Sequence, residues 1–212
     1  MTPQHHLPAD IERTSLSIIT AELDAMGLTP PPETAAVVKR VIHTTADFDY
    51  VDNLAFSDHA VQKAIAALRA GCDIVTDTQM AKAGINKTIL ASLGGEVHCF
   101  MSDADVAAES KERGVTRAFV SMERAAALHR PVIFAIGNAP TALISLHEMM
   151  QEGVFTPAFI IGVPVGFVNV EAAKELIMET GVPYIVNVGR KGGSNIAAAI
   201  CNALIYSLVD RA

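Results

Sequence analysis

The sequence of 212 residues has no tryptophan, few aromatic side chains and only three cysteines. Cys72, Cys99 and Cys201 have neither the spacing of a metal site nor that of a redox pair, so we expect buried thiols in a reducing cytoplasm. No apolar run approaches the ~18 residues of a membrane span. The N-terminal stretch "MTPQHHLPAD" lacks the basic-then-apolar order of a signal peptide. These shortages predict a soluble, cytoplasmic protein.

Basic residues are also scarce, because 16 Lys and Arg stand against 23 Asp and Glu, for a formal net charge of -7 at pH 7. Nonspecific binding of DNA or RNA depends on neutralising phosphates with a basic face. Nucleic acid is therefore not an expected partner. An acidic protein still binds an anionic small molecule where its few basic residues converge on one cleft.

Hydrophobic residues, in contrast, make up 50% of the chain. A chain of this length can bury one sizeable core, and nothing in the composition marks a second domain or a long linker. We predict a single domain over residues 1–212. The apolar excess is expected in that core or in a subunit interface.

The N-terminal third of the sequence predicts helices. Asp10 is expected to cap a first helix that ends at Gly27. A second helix, at about residues 33–42, has valines on its apolar side and places His43 at its C-terminal end. Ser57 is expected to cap a third helix.

Further along the chain, short apolar runs alternate with helical segments, which is typical of an α/β fold. The predicted strands lie at residues 74–76, 96–100, 132–136, 158–161 and 184–188. Because these runs show little polar alternation, they favour a parallel sheet covered on both faces. We predict a doubly wound, flavodoxin-like five-stranded parallel sheet with extra N-terminal helices. Such sheets bind ligands beyond the carboxyl ends of the strands, near the reversal of strand order.

Four glycine-containing loops are predicted at that edge: "DTQMAKAG" (77–84), "GNAPT" (137–141), "GVPVGF" (162–167) and "GRKGGS" (189–194). Glycine allows tight turns and close approach of backbone N–H groups to a ligand, and helix N-termini favour anions. Ordinary turn formation explains any one loop, but the four together favour an anion-binding cleft. Since no loop matches a known nucleotide motif, a nucleotide or flavin enzyme is the less favoured interpretation.

The motifs "IHTTADFD" (42–49), "IGNAPTAL" (136–143), "IGVPVGFV" (161–168) and "GRKGGS" (189–194), with a looser "RTSLSII" (13–19), carry a family resemblance. Over about residues 11–204 the chain resembles the precorrin-8X methylmutases of corrin (vitamin B12) biosynthesis, including their cobalt-precorrin-8 members. The resemblance implies an isomerase that moves a methyl group from C11 to C12 of ring C on a tetrapyrrole. It implies no cofactor, any cobalt being part of the substrate, and a flavodoxin-like homodimer with active sites near the subunit interface.

His43 matches the family's catalytic histidine, a proton donor and acceptor near the ring C nitrogen. The chemistry is reasonable, because the unperturbed pKa of imidazole allows proton exchange near neutrality. Read without the resemblance, a histidine at a helix end is more often solvated or bonded to a carbonyl group. Thr45 and Asp47 are candidate substrate contacts. Asp47 and Asp49 are each open to three readings: orienting the histidine, binding a ring substituent, or capping the loop.

The implied substrate is a polycarboxylate, and arginine forks suit carboxylates. Ser15 matches a substrate-contacting serine, although Leu16 replaces the usual aromatic neighbour and Ser17 is an alternative. The other candidate substrate contacts are Arg13, Arg40, Arg117, Asn138, Ala139, Thr141, Arg190 and Lys191. Free N–H groups at the start of the helix after "GNAPT" could bind a carboxylate arm, or the loop could be an ordinary turn.

Two further expectations complete the sequence interpretation. No metal site is predicted, because the paired aspartates have no histidine or cysteine partner at a suitable spacing. The alternative to an enzyme is a noncatalytic tetrapyrrole carrier, which would use the same arginines and glycine loops without needing a general acid at His43.

Overall fold

The computed structural model describes residues 8–209, so most of the stretch read above for a signal peptide lies outside it. The helices are α1 (Pro8–Ala25), α2 (Ala35–Thr45), α3 (Tyr50–Asn53), α4 (Ala60–Arg69), α5 (Gln79–Gly84), α6 (Lys87–Ser92), α7 (Ala104–Arg113), α8 (Arg117–Ala126), α9 (Pro140–Gln151), α10 (Val170–Met178) and α11 (Ser194–Tyr206). The strands are β1 (Leu54–Phe56), β2 (Asp73–Thr76), β3 (Val97–His98), β4 (Val132–Ile136), β5 (Phe159–Gly162) and β6 (Tyr184–Asn187).

The strands form one mixed sheet in the order β1-β6-β5-β4-β2-β3. The five strands from β2 to β6 are parallel, whereas β1 pairs antiparallel with β6, with Leu54 opposite Asn187. The α/β prediction is confirmed and the five predicted strands correspond to β2–β6, but the sheet has a sixth, antiparallel strand, β1, that was not predicted. A run of three residues is too short to show a hydrophobic period in the sequence. β1 forms because its backbone pairs with the edge of β6.

Helices cover both faces of the sheet, and β4 shows why its sequence reads as a continuous apolar run. Ile133 and Ala135 point into one core cluster, while Phe134 and Ile136 point into the other. Successive side chains of a strand face opposite sides, so a strand covered on both faces is apolar at every position. The three cysteines are buried and free, as predicted.

Helix ends differ from the prediction in two places. Asp10 does not cap α1 but lies inside its first turn, where its carboxylate pairs with Arg13. Ser57 does not cap α4. The residue before this helix is His59, whose backbone is in a left-handed conformation. The Ser57 hydroxyl instead accepts a hydrogen bond from the N–H of Tyr184 at 2.9 Å, an interaction across the sheet that local sequence does not reveal.

Candidate functional site

The loops after β2 and β4 are joined by a buried carboxylate. Asp77 follows β2 and is 1% exposed. Its carboxylate accepts hydrogen bonds from the backbone N–H groups of Gly137 (2.9 Å), Asn138 (2.7 Å) and Ala139 (2.5 Å). Burial raises the pKa of Asp77, and the three N–H donors act in the opposite direction.

The backbone N–H groups predicted to bind a carboxylate arm are therefore already occupied. The anion that fills the N-terminus of α9 is the side chain of Asp77 from the same chain. The N–H groups of Asn138 and Ala139 are accordingly not free, contrary to the prediction, and contact of these residues with the substrate through other atoms stays a prediction. Thr141 lies half-buried in the first turn of α9.

The crevice between β2 and β4, where the strand order reverses, is filled by the start of α11. A Cβ atom built on Gly137 would lie 2.7 Å from the Cα atom of Ser194, so only glycine permits this approach. The hydroxyl oxygens of Thr78 and Ser194 are 2.7 Å apart. Ligands of doubly wound sheets usually bind at this point. Here the space is taken, which leaves the loops after β5 and β6 as the accessible part of the edge.

Those two loops form one surface. The N–H of Gly193 donates to the carbonyl oxygen of Val163 at 2.9 Å, and the N–H of Gly166 donates to that of Arg190 at 3.2 Å. A Cβ atom on Gly192 would lie 2.1 Å from the Val163 oxygen, so the packing of the two loops requires glycine there. The four predicted loops thus meet at one edge of the sheet.

Large apolar side chains are exposed on this surface. We call Val165, Phe167, Val168 and Val188 the apolar rim. Phe167 is 84% exposed, and the Arg190 guanidinium lies 5.6 Å from the centre of its ring. Arg190 Nε also donates to Glu171 at 2.7 Å. The Arg190 guanidinium can bind a carboxylate group of a ligand, and the Phe167 ring beside it can contact an apolar part of the same ligand.

His43 lies in the last turn of α2 and is exposed. The helix ends at Ala46 in a left-handed conformation, and the Ala46 N–H bonds to the carbonyl oxygen of Ile42 at 2.7 Å. The Thr45 hydroxyl accepts the N–H of Asp47 at 3.2 Å, which turns the chain away from the helix axis. Across residues 8–209 the His43 ring has no hydrogen-bond or ion-pair partner. The imidazole is therefore available to a ligand.

The segment after His43 is tied to the loop after β6 by an ion triad. Lys191 Nζ lies 2.6 Å from Asp47 Oδ2 and 2.6 Å from Asp49 Oδ2. The hydrogen bond from Lys191 lowers the pKa of Asp47, and the same contacts raise the pKa of Lys191. Of the three roles left open for the aspartates, these contacts favour capping the loop, as does the bond from the Asp49 N–H to Asp47 Oδ1 at 3.0 Å. One cation between two carboxylates leaves a net negative group, so an incoming carboxylate competes with the two aspartates for Lys191.

The other predicted basic contacts are mostly engaged elsewhere. Arg40 Nη2 donates to Glu12 of α1 at 2.5 Å, and its guanidinium lies 5.5 Å from the ring centre of Tyr206 in α11. Arg40 therefore bridges helices, although it is three residues before His43. Arg13 pairs with Asp10, and Arg117 is exposed at the start of α8.

Both candidate serines of α1 donate to the backbone of their own helix. Ser15 Oγ bonds to the carbonyl oxygen of Ile11 at 2.8 Å, and Ser17 Oγ bonds to that of Arg13 at 2.9 Å. Ser15 is half-buried and Ser17 is exposed. Such bonds are local, so either hydroxyl keeps acceptor capacity for a ligand.

Sequence reasoning missed three residues at this edge: Asp77, Phe167 and Lys174. An aspartate directly after an apolar strand was a usable signal for Asp77. No sequence signal distinguishes Lys174, because a lysine in an amphipathic helix is normally solvated. Within the described part of the chain, no group of three or more His, Cys, Asp or Glu side chains could hold a metal ion. No helix there is long and apolar enough to cross a membrane.

The motifs at this edge match a known family. The sequence profile of precorrin-8X methylmutase matches residues 10–207. The chain belongs to the precorrin-8X methylmutase family. It is 44% identical to the cobalt-precorrin-8 methylmutase of Salmonella typhimurium, over 95% of this chain and 96% of that one. It is 43% identical to the corresponding Priestia megaterium protein, over 93% of this chain and 87% of that one.

A solved structure of a relative has the same fold. The Thermus thermophilus precorrin-8X methylmutase superposes with a TM-score of 0.81 at 38% sequence identity, covering 92% of this chain and 95% of that chain. The family resemblance read from the motifs is thereby confirmed. The chain is a methylmutase, an isomerase of cobalamin biosynthesis, and a tetrapyrrole is the class of substrate that the family implies.

Proposed function

We propose that the chain moves the C11 methyl group of precorrin-8, with or without cobalt, to C12 of ring C, with His43 as proton donor and acceptor. The product is at the hydrogenobyrinate or cobyrinate level. The observation that carries this proposal is the exposed imidazole of His43, which has no partner in residues 8–209 and lies one turn before the ion triad. A proton delivered to the conjugated ring system biases its electrons as the methyl group migrates, and the imidazole takes the proton back afterwards.

We further propose that the macrocycle lies against the apolar rim, with its carboxylate arms toward Arg190 and Lys191. Both cations already bind carboxylates of the chain, since Arg190 pairs with Glu171 and Lys191 pairs with two aspartates. A substrate arm would therefore exchange with a resident carboxylate rather than fill an empty site. Such exchange suits a polycarboxylate substrate. In the free protein Arg190 and Lys191 stay paired with carboxylates of the chain, and a carboxylate arm of the substrate replaces such a partner on binding.

Replacing Arg190 and Lys191 together with alanine is expected to weaken binding of the corrinoid product at least about tenfold, since a charged hydrogen bond contributes about 1.5–3 kcal/mol. The dependence of affinity on salt should also decrease, because fewer ion pairs form. Titration of the product at low and high salt measures both effects.

Arg113→Ala is the matched control for the double variant. Arg113 is likewise a surface arginine in carboxylate pairs, with Glu109 and Glu123, but it lies between α7 and α8. Its loss should leave product affinity unchanged. Unchanged affinity of the double variant at both salt concentrations would place Arg190 and Lys191 outside the site.

The cobalt-containing substrate is expected to be preferred over the metal-free ring. This proposal is supported by the "TADFD" form of the loop at 45–49, which resembles members of the early-cobalt route. It is also supported by the relatives from Salmonella typhimurium and Priestia megaterium, which are cobalt-precorrin-8 methylmutases. Parallel assays of kcat/KM with both substrates test it, and a higher value for the metal-free ring would overturn it.

A homodimer is expected at micromolar concentration. Its support is the family match and the 50% hydrophobic composition, which is high for a chain of this size. Light scattering should give twice the 22.4 kDa of the chain. A monomer mass across the micromolar range would remove this proposal.

We also propose that the parallel part of the sheet is flavodoxin-like. The order β3-β2-β4-β5-β6 corresponds to 2-1-3-4-5 among the parallel strands. β1 then adds an antiparallel edge, a common feature of large mixed sheets.

Visible spectra recorded through time with precorrin-8 material test the proposed reaction. Methyl migration changes the conjugation of the chromophore, whereas binding alone forms no rearranged product. A spectral change on mixing without product would favour the noncatalytic carrier. Parallel spectra with flavins and nucleotides test the less favoured interpretation, that the protein is a nucleotide or flavin enzyme.

A further inference from the structure

Lys174 is a buried lysine that binds the loop after β6 from beneath. It belongs to α10, and only 1% of its surface is exposed. Its Nζ donates to the carbonyl oxygen of Gly189 at 2.6 Å and to that of Lys191 at 2.9 Å. Two carbonyl groups of one short loop thus point inward to the same nitrogen. The side chain of Lys191 leaves the opposite side of the loop, toward Asp47 and Asp49.

A second polar side chain supports the same loop. Asn187 Nδ2 donates to the carbonyl oxygens of Val188 (3.1 Å) and Lys191 (2.9 Å). Its Oδ1 atom is buried without a hydrogen-bond partner among residues 8–209. The carbonyl of Lys191 therefore accepts hydrogen bonds from two side chains, Lys174 and Asn187.

A lysine at this position is costly for the fold. Burial lowers the pKa of Lys174 to about 8, because a charged amine is poorly solvated there. The carboxylate of Glu171, one turn earlier on α10, acts in the opposite direction on the pKa of Lys174, but that carboxylate is bound to Arg190. An apolar side chain would fill the space without desolvating an amine. The gain from lysine is the defined position of residues 189–191.

We propose that Lys174 is a positioning residue, which fixes the 189–193 loop so that Lys191 holds the segment following His43. This inference rests on the proposed function of His43. Lys174 is too buried to touch the substrate. It acts through backbone carbonyls on Lys191, and Lys191 acts on Asp47 and Asp49, which lie between the end of α2 and the start of α3.

Loss of Lys174 is expected to affect catalysis by His43 more than binding of the substrate. His43 is on a helix end whose own cap consists of a left-handed alanine and short polar contacts. The ion triad joins that turn to the loop after β6, with Lys191 more than 140 residues from both aspartates, while Phe48 and Tyr50 anchor the chain just beyond it in the core. Loss of the support beneath Lys191 displaces the turn, and small displacements of a catalytic group cost up to about 100-fold in rate.

Lys174→Met tests the proposal, with Ile177→Ala as the matched control. Ile177 is fully buried on the same helix but packs into the core and not against the loop. Both variants should be destabilised. Lys174→Met is expected to lose about 10–100-fold in kcat/KM, mainly through kcat, whereas Ile177→Ala keeps normal kcat/KM per folded molecule.

A readout that does not depend on turnover is the pKa of Asp47, measured by NMR. Release of Lys191 in Lys174→Met should bring the Asp47 pKa up toward its ordinary value. Ile177→Ala should leave it lowered. This measurement separates the inference from the proposed function, since an inactive wild type would refute the function and leave the Asp47 result intact.

Several results would overturn the inference. If the Asp47 pKa in Lys174→Met stays as low as in the wild type and kcat is unchanged, the loop does not need Lys174. An equal loss of kcat in Ile177→Ala would assign the effect to general destabilisation. If Lys174→Met does not fold, Lys191→Met on the surface decides: normal kcat in that variant would exclude any action of Lys174 through Lys191.

Discussion

Alanine in place of His43 is expected to lower kcat by about 10²–10⁴-fold, the usual cost of losing a positioned proton donor. Product affinity should change little, because the proposed contacts to the ring and its carboxylate arms come from other residues. The fold should also tolerate the change, since His43 is exposed and has no partner in the described residues. Single-turnover and steady-state kinetics, with thermal unfolding alongside, measure these effects.

His147→Ala is the matched control for His43, because it makes the same chemical change on a half-buried helical position in α9. Normal kcat is expected there. His43→Asn adds a second comparison, since asparagine donates a hydrogen bond but delivers no proton near neutral pH. A near-normal rate with asparagine would assign polarisation to His43 rather than proton transfer. Near-normal kcat with reduced affinity in His43→Ala would make it a ligand contact.

Replacing Asp77 with asparagine is expected to have the largest effect on stability, lowering the free energy of unfolding by about 3 kcal/mol. The carboxylate accepts three backbone N–H groups, and an amide would direct its own N–H toward at least one of them. A buried donor left without an acceptor costs about 1–3 kcal/mol. Urea unfolding followed by circular dichroism measures the loss.

Asp24→Asn provides the comparison for Asp77, because Asp24 is exposed in α1. Surface changes of this kind usually stay within about 0.5 kcal/mol. An equally small effect at Asp77 would mean that its three hydrogen bonds contribute nothing net. In that case the turn after β4 would be held by its glycine packing and by the start of α11 alone.

The sequence by itself determined the features that depend on local pattern. The five parallel strands read as short apolar runs because both of their faces are covered, and β4 was predicted with its observed bounds. The place of His43 in the last turn of α2 followed from the apolar period of the helix and the polar residues after it. The four glycine loops met at one edge because the carboxyl ends of parallel strands lie together.

Only the tertiary structure decided which groups fill that edge. β1 is three residues long and exists through its pairing with β6, which brings the His43 segment beside the loop after β6. The donors of the turn after β4 bind Asp77, about 60 residues earlier in the chain, rather than a ligand. Lys174 is buried because the same loop covers it. Each contact joins residues distant in sequence, and no local periodicity carries information about such a partner.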